Sequence, residues 1–254
     1  MRVGLIGAGN MARALARGWG EPVMCSDSGS GRAAALAAEV GGGAVSNVEV
    51  ARQSDLVVLC HKPAQLNVVA AEIAGDVKAV ASVLGSVSAL ELARAYRPAP
   101  TFRLMPNTPV EVRKGIVCYA PLCDPDHPVN VELEREVLAL FCRLGSVVTL
   151  DERLLDPATA VMGVGPAYQS LLAEAQVDAA VRYGLKPEIA ARLVVETMAG
   201  SAELIAHRNY DTLTVRREVT SPGGSTARGL DALERSGVRG AFQAAIDRVC
   251  GERS

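Results

Sequence analysis

The sequence predicts the α/β fold class: a doubly wound, mostly parallel sheet in residues 1–150, followed by an all-α domain in residues 151–254. Three observations carry this prediction. Short apolar runs alternate with helical stretches through the first half, the alternation that builds a parallel sheet covered by helices. The first run ends in Gly7-Ala8-Gly9-Asn10-Met11-Ala12, a G-x-G-x-x-A turn that follows a strand and opens a helix. Beyond residue 150 the strand signal stops, and Ala-rich helical periodicity takes over.

Val3 to Ile6 is the first strand, closed by glycines. Met11, Leu15 and Trp19 recur at i, i+4 and i+8, so residues 10–19 form a helix. Val23 to Cys25 is a second short strand, and Ala-rich Arg32 to Val40 a second helix. Asn47 is expected to cap a short helix at 48–53. Asp55 to Cys60 is a third strand, with an apolar centre suited to helices on both sheet faces. Residues 64–74 read as helix and 79–84 as strand, and Ser88-Ala89-Leu90-Glu91 is a capping box. Thr101–Met105, Ile116–Ala120 and Val147–Leu150 are further strands, with a helix at about 130–143 between the last two. The second half reads as helices at 166–183, 187–207, 211–218 and 226–249. Pro187 suits a first helical turn, and Gly237 interrupts the last stretch, leaving one helix or two. Apolar faces this broad exceed what one sheet domain can cover, which implies burial in a homo-oligomer more than a self-contained bundle.

Composition narrows the function. Among 254 residues, 26 Lys plus Arg balance 28 Asp plus Glu, which excludes a strongly basic nucleic-acid binder and an acidic disordered chain. Aromatics are 4%, so Ala, Val and Leu must build the core. No apolar run approaches the ~18 residues of a membrane span, so no membrane partner is expected. The six cysteines, Cys25, Cys60, Cys118, Cys123, Cys142 and Cys250, include no C-x-x-C pair. With only His61, His127 and His207 beside them, no metal site is expected. Reduced thiols in a cytoplasmic protein fit this scatter better than a disulfide framework.

The glycine turn at the N-terminus has a physical purpose. Gly7 allows a tight turn, Gly9 lets backbone approach a pyrophosphate, and Ala12 permits close helix packing. The helix start at Asn10 and Met11 offers free N–H groups and a positive dipole end. Asp27 lies 18 residues after Gly9, where a carboxylate grips the ribose of NAD and repels the extra phosphate of NADP. Yet Ser28, Ser30 and Arg32 can form a phosphate nest, so the choice between NADH and NADPH stays open. Cys60-His61-Lys62-Pro63 ends the third strand and should face the dinucleotide; His61 is more readily a loop residue there than a base. The next strand ends at Val83-Leu84-Gly85, where Gly85 would let the nicotinamide approach. Arg103-Leu104-Met105-Pro106-Asn107-Thr108-Pro109 is a rigid turn, a cleft wall, or both. Gly163-Val164-Gly165-Pro166 and Ser221-Pro222-Gly223-Gly224-Ser225-Thr226 each open a helix, and two such starts favour a small anionic substrate.

Taken in order, the motifs at 7–12, 62–63, 103–109, 165–168 and 221–226 resemble the pyrroline-5-carboxylate reductase family over nearly the whole chain. The resemblance implies a Rossmann domain plus a helical dimerisation domain, with homodimers that in many members assemble into decamers. It implies hydride transfer from NAD(P)H to the imine carbon of 1-pyrroline-5-carboxylate, giving L-proline. Gly7, Ala8, Gly9, Asn10, Met11 and Ala12 would then hold the pyrophosphate, with Asp27, Ser28 and Asn47 also on the cofactor. Cys60, His61, Lys62, Pro63, Val83, Leu84 and Gly85 would line its nicotinamide half. Gly165, Pro166, Ser221, Gly223, Gly224, Ser225 and Thr226 would hold the imino acid, with Thr226 at the ring nitrogen as the catalytic hydroxyl.

The chain departs from the family pattern at several points. Met162 and Val164 stand where serines are usual, Asp211-Thr212 where His-Pro is usual, and His61 where Val is usual. The position of Asp27 is often a Ser. A pocket lacking two hydroxyl donors can serve a different cyclic imine. The alternatives are therefore a related NAD(P)-dependent reductase of another cyclic imine or keto acid, and a non-catalytic dinucleotide-binding regulator. A β-hydroxyacid dehydrogenase is disfavoured because residues 166–183 contain no Lys.

Overall fold

The structure is a computed structural model that describes residues 1–122 and 130–251. Cys123 and His127 lie outside these described residues. It divides into two compact units, Met1–Pro166 and Ala167–Ser254.

The first unit holds an eight-stranded sheet in the order β3-β2-β1-β4-β5-β6-β7-β8. The strands are β1 (Val3–Ile6), β2 (Met24–Ser26), β3 (Gly43–Ala44), β4 (Leu56–Leu59), β5 (Val80–Ser82), β6 (Thr101–Pro106), β7 (Gly115–Ala120) and β8 (Gly145–Thr149). All neighbours are parallel except β6 and β7, which pair as an antiparallel hairpin with Met105 opposite Cys118. The intervening helices are α1 (Asn10–Trp19), α2 (Arg32–Val40), α3 (Asn47–Gln53), α4 (Leu66–Ile73), α5 (Ala89–Tyr96) and α6 (Val131–Cys142). The doubly wound Rossmann-type sheet expected from the β-α alternation is thus present, and strand order reverses between β1 and β4. That reversal opens a crevice at the carboxyl ends of the strands.

Helices on both faces demand apolar residues on both faces, and β4 is buried at every position. One core gathers Leu5, Leu15, Trp19, Leu36 and Phe141. Trp19 meets Phe141 edge-on at 5.6 Å, and its indole N–H donates to the Leu140 carbonyl. The opposite core gathers Ile6, Leu59, Ile73, Leu92 and Tyr96. A smaller cluster of Met105, Cys118, Ala120 and Leu155 seats residues 155–162 on the β6–β7 hairpin.

Several local expectations change. β3 has only Gly43 and Ala44, too short to leave an apolar run. Asn47 does not cap α3: Ser46 does, in a reciprocal capping box with Glu49, because its hydroxyl reaches the Glu49 N–H. The expected helix at 64–74 begins with a separate 3-10 turn at Pro63–Gln65. The stretch at 226–249 divides at Gly237, whose φ of 77° ends one helix before the next begins.

The rest of the chain is helical: α7 (Leu155–Ala158), a π-helical turn at Thr159–Gly163, α8 (Gly165–Arg182), α9 (Pro187–His207), α10 (Thr212–Glu218), α11 (Ser225–Arg235) and α12 (Val238–Gly251). In this chain α8, α11 and α12 bury no residue at all, and α9 buries only Ala190. Leu171, Leu193 and Val195 are each more than half exposed. Among the described residues, no helix is long and apolar enough to cross a membrane.

Candidate active site

The crevice at the strand reversal is a cavity of about 580 Å³, within the range of small-molecule and cofactor sites. Its floor is the turn from β1 to α1. Gly7 has φ +96°, and a Cβ there would come within 2.6 Å of the His61 backbone nitrogen, so only glycine fits. Gly9 differs. Its φ is −76° in the extended region, and a Cβ there would meet no protein atom within 4 Å. The space beside Gly9 therefore belongs to the cavity. Gly9 is also the N-cap of α1, with no side-chain cap and no acidic residue in the first turn. The helix start is left open to an anion, as a dinucleotide diphosphate requires. Ala8, Asn10 and Met11 line the cavity too. Ala12 does not: it is fully buried in the core, where its small side chain lets α1 pack on the sheet. Its expected place on the cofactor is corrected to a packing role.

On the β2 side, Asp27, Ser28, Ser30 and Arg32 line the cavity. The Asp27 carboxylate accepts hydrogen bonds from the Gly29 N–H at 2.9 Å, the Ser30 hydroxyl at 2.7 Å and the Ala33 N–H at 3.0 Å. These donors, the Ser30 hydroxyl foremost, hold its pKa down at about 2. Asp27 thus ties its own loop to the first turn of α2. Asn47 also lines the cavity and is fixed twice: its carbonyl oxygen accepts from the Ser26 hydroxyl at 2.6 Å, and its amide donates to Glu72 at 2.7 Å.

On the β4 and β5 side stand Cys60, His61, Lys62, Pro63, Val83, Leu84 and Gly85, all cavity residues. Burial pushes the Cys60 thiol up to about 12, so it stays protonated. Burial lowers the His61 pKa below its ordinary value. The neutral ring places Nδ1 2.9 Å from the Lys62 carbonyl, and since a carbonyl only accepts, Nδ1 carries the proton. Burial thus favours the neutral imidazole of His61 over the charged one. Gln65 and Val69 complete this wall and were not anticipated. Gln65 had a signal: its side chain accepts from the Lys62 N–H at 3.4 Å, closing the turn that Pro63 begins.

None of residues 103–109 lines this cavity. Arg103 is buried and paired with Glu152, which also accepts from the Ala89 N–H at the start of α5. Asn107 is buried, and its amide donates to the Met162 carbonyl at 3.0 Å. The motif joins elements rather than walling the crevice.

In the second unit, Ser221-Pro222-Gly223-Gly224 is a tight turn closed by the Gly224 N–H on the Ser221 carbonyl at 3.1 Å. Gly223 has φ +67° after Pro222, the requirement of a type II turn. Arg228 donates to the Gly223 carbonyl at 2.7 Å and steadies it. Gly224 then caps α11 with no side-chain cap and no acidic residue in the first turn, as Gly9 does for α1. Ser225 and Thr226 open the helix, exposed, and among the described residues neither hydroxyl has a partner. Gly165 and Pro166 open α8 and lie in the first unit. Asp211 caps α10, accepting from the Leu213 and Thr214 N–H groups at 3.0 Å each, so this departure from the family pattern serves the helix.

A family model described as pyrroline-5-carboxylate reductase dimerisation matches residues 152–254, and one described as NADP oxidoreductase, coenzyme F420-dependent, matches residues 2–89. A pyrroline-5-carboxylate reductase of Synechocystis sp. is 36% identical over 204 residues, 79% of this chain and 74% of that protein. That of Pseudomonas aeruginosa is 33% identical over 259 residues, 97% of this chain and 93% of that one. Among solved structures, Plasmodium falciparum pyrroline carboxylate reductase with NADP bound aligns with a TM-score of 0.85 at 28% identity, over 99% of this chain and 96% of that one. Streptococcus pyogenes 1-pyrroline-5-carboxylate reductase aligns with a TM-score of 0.87 at 28% identity, over 99% and 97%. Identity of 33% carried along nearly the full length of both chains, on a shared fold, makes this chain a member of the pyrroline-5-carboxylate reductase family.

Proposed function

We propose that the protein reduces 1-pyrroline-5-carboxylate to L-proline with NAD(P)H, the last step of proline biosynthesis. The observation that supports this above all is the crevice built on an uncapped helix start, with Gly9 facing open space where a diphosphate fits. In this reading Gly7–Met11 hold the diphosphate, the loop of Asp27 and Ser28 with Asn47 holds the adenosine side, and Cys60–Pro63 with Val83–Gly85 border the nicotinamide. When bound, the reduced nicotinamide supplies a hydride to the imine carbon. The substrate carboxylate goes to the second uncapped helix start, held by Ser221, Gly223, Gly224 and Ser225, with Gly165 and Pro166 also bordering the ring. The Thr226 hydroxyl donates a hydrogen bond to the imine nitrogen and relays to it a proton taken up from solvent as the carbon gains the hydride. Residues 1–150 thus act as the nucleotide domain and 151–254 as the dimerisation and substrate domain.

Either NADPH or NADH serves as reductant in this reading: the ionised Asp27 carboxylate on the cavity wall repels a 2′-phosphate, while Ser28 and Arg32 attract one. Arg32→Ala should raise the KM for NADPH about tenfold and leave that for NADH nearly unchanged, the size expected for one charge-assisted contact. Steady-state kinetics with both nucleotides check it, and an equal change in both KM values would remove Arg32 from the phosphate.

The bare faces of α8, α9, α11 and α12 support a homodimer, and we propose decamers as a further assembly and the cytoplasm as the location. The deciding assay follows NADPH and NADH oxidation by absorbance with a panel of cyclic imines and keto acids. Turnover fastest with pyrroline-5-carboxylate is expected. Preference for another imine would move the substrate, and nucleotide binding without turnover would make the chain a regulator.

A further inference from the structure

We infer that Asn107 is a positioning residue for the substrate-side turn, acting through the Met162 carbonyl. The inference rests on the reading above that Gly165 and Pro166 border the imino acid. In a continuous helix the Met162 carbonyl would accept from the N–H of residue 166, four residues on. Residue 166 is proline and has no N–H. The sequence thus leaves an acceptor open one turn before α8, where the chain has already widened into the π-helical turn at Thr159–Gly163. Asn107 fills that vacancy from another element, with its Nδ2 donating to the Met162 carbonyl at 3.0 Å.

Asn107 is itself held at every polar group. Its N–H donates to the Ile116 carbonyl at 3.1 Å, and its carbonyl accepts from the Val110 N–H at 3.2 Å. Its Oδ1 accepts from the Ile116 N–H at 2.9 Å. The residue is only 7% exposed, and its amide oxygen and nitrogen face different partners, which fixes one orientation. The turn it grips is equally determined. The Val164 N–H donates to the Thr159 carbonyl at 3.1 Å, and a Cβ at Gly163 would come within 2.9 Å of the Thr159 methyl. Met162 packs at the edge of the cluster of Met105, Cys118 and Leu155. The β6–β7 hairpin therefore sets where Met162, Val164 and Gly165 stand. π-Helical turns recur at functional sites, where a displaced backbone re-aims side chains.

The test uses Asn107→Asp, which keeps the acceptor toward Ile116 and turns a carboxylate oxygen toward the Met162 carbonyl. The KM for pyrroline-5-carboxylate should rise about tenfold, as sub-ångström misplacement of a binding group does, with the KM for NADPH within about twofold of the natural chain. A residue that only stabilised the fold would not split the two constants. Amide hydrogen exchange across 159–165 should quicken, and adding Pro166→Ala, which returns an N–H to residue 166, should slow it again. Should Asn107→Asp not accumulate as folded protein, Asn107→Ser, which no longer reaches Met162, carries the same readouts. Unchanged imine KM in a folded variant overturns the inference while the proposed reaction stands. Absence of imine turnover in the natural chain sinks the proposed reaction instead. The grip on Met162 is then judged by exchange alone, and equal exchange in variant and natural chain overturns it.

Discussion

Gly9→Val abolishes dinucleotide binding while the thermal midpoint stays near that of the natural chain. The two halves of this expected result have separate causes. Gly9 sits at φ −76° and ψ −173°, a region β-branched residues occupy without strain. No protein atom lies within 4 Å of the Cβ that valine would add, so nothing in the fold must move. The isopropyl group instead fills the space over the open N-terminus of α1, where the diphosphate has to meet the backbone N–H groups. Gly7 is the contrasting case. Its positive φ and its 2.6 Å approach to the His61 backbone mean that a side chain there strains the fold before it touches any ligand. NADPH fluorescence titration beside a thermal melt reads both halves. Normal titration by a folded Gly9→Val protein would take the diphosphate out of this turn.

Thr226→Ala should lower kcat about 10²-fold with NADPH affinity unchanged, the low end of what one positioned acid contributes. The loss would be chemical rather than structural. Thr226 is exposed, its hydroxyl has no partner among the described residues, and alanine is the better helix former in the first turn of α11. The hydroxyl is therefore dispensable to the fold and available to a ligand. Single-turnover rates at saturating nucleotide check the prediction. A rate equal to that of the natural chain would pass the role at the imine nitrogen to another donor.

The elements most legible in the sequence were those with a strong period or a dense run. β1, β4 and α1 lie where the apolar pattern put them, because buried parallel strands and an amphipathic helix leave few other arrangements. The cavity was legible for the same reason: its walls are strand ends, and strand ends follow from strands. What escaped detection was decided by single hydrogen bonds. Ser46 rather than Asn47 caps α3 through one contact to the Glu49 N–H, and both residue types cap well. Asp27 lines the cavity, and that its oxygens also accept from donors of its own loop is a matter of loop path that spacing does not encode. The contact between Asn107 and Met162 spans 55 residues, beyond any periodicity.

The helices after α7 carry apolar faces that this chain alone leaves uncovered. In a two-fold pair such faces meet copies of themselves, so any altered side chain enters the joint twice. A change worth little on an ordinary surface is doubled there. In such a pair the sequence of this half would be constrained by its own rotation-related copy, a demand that the sheet residues do not face.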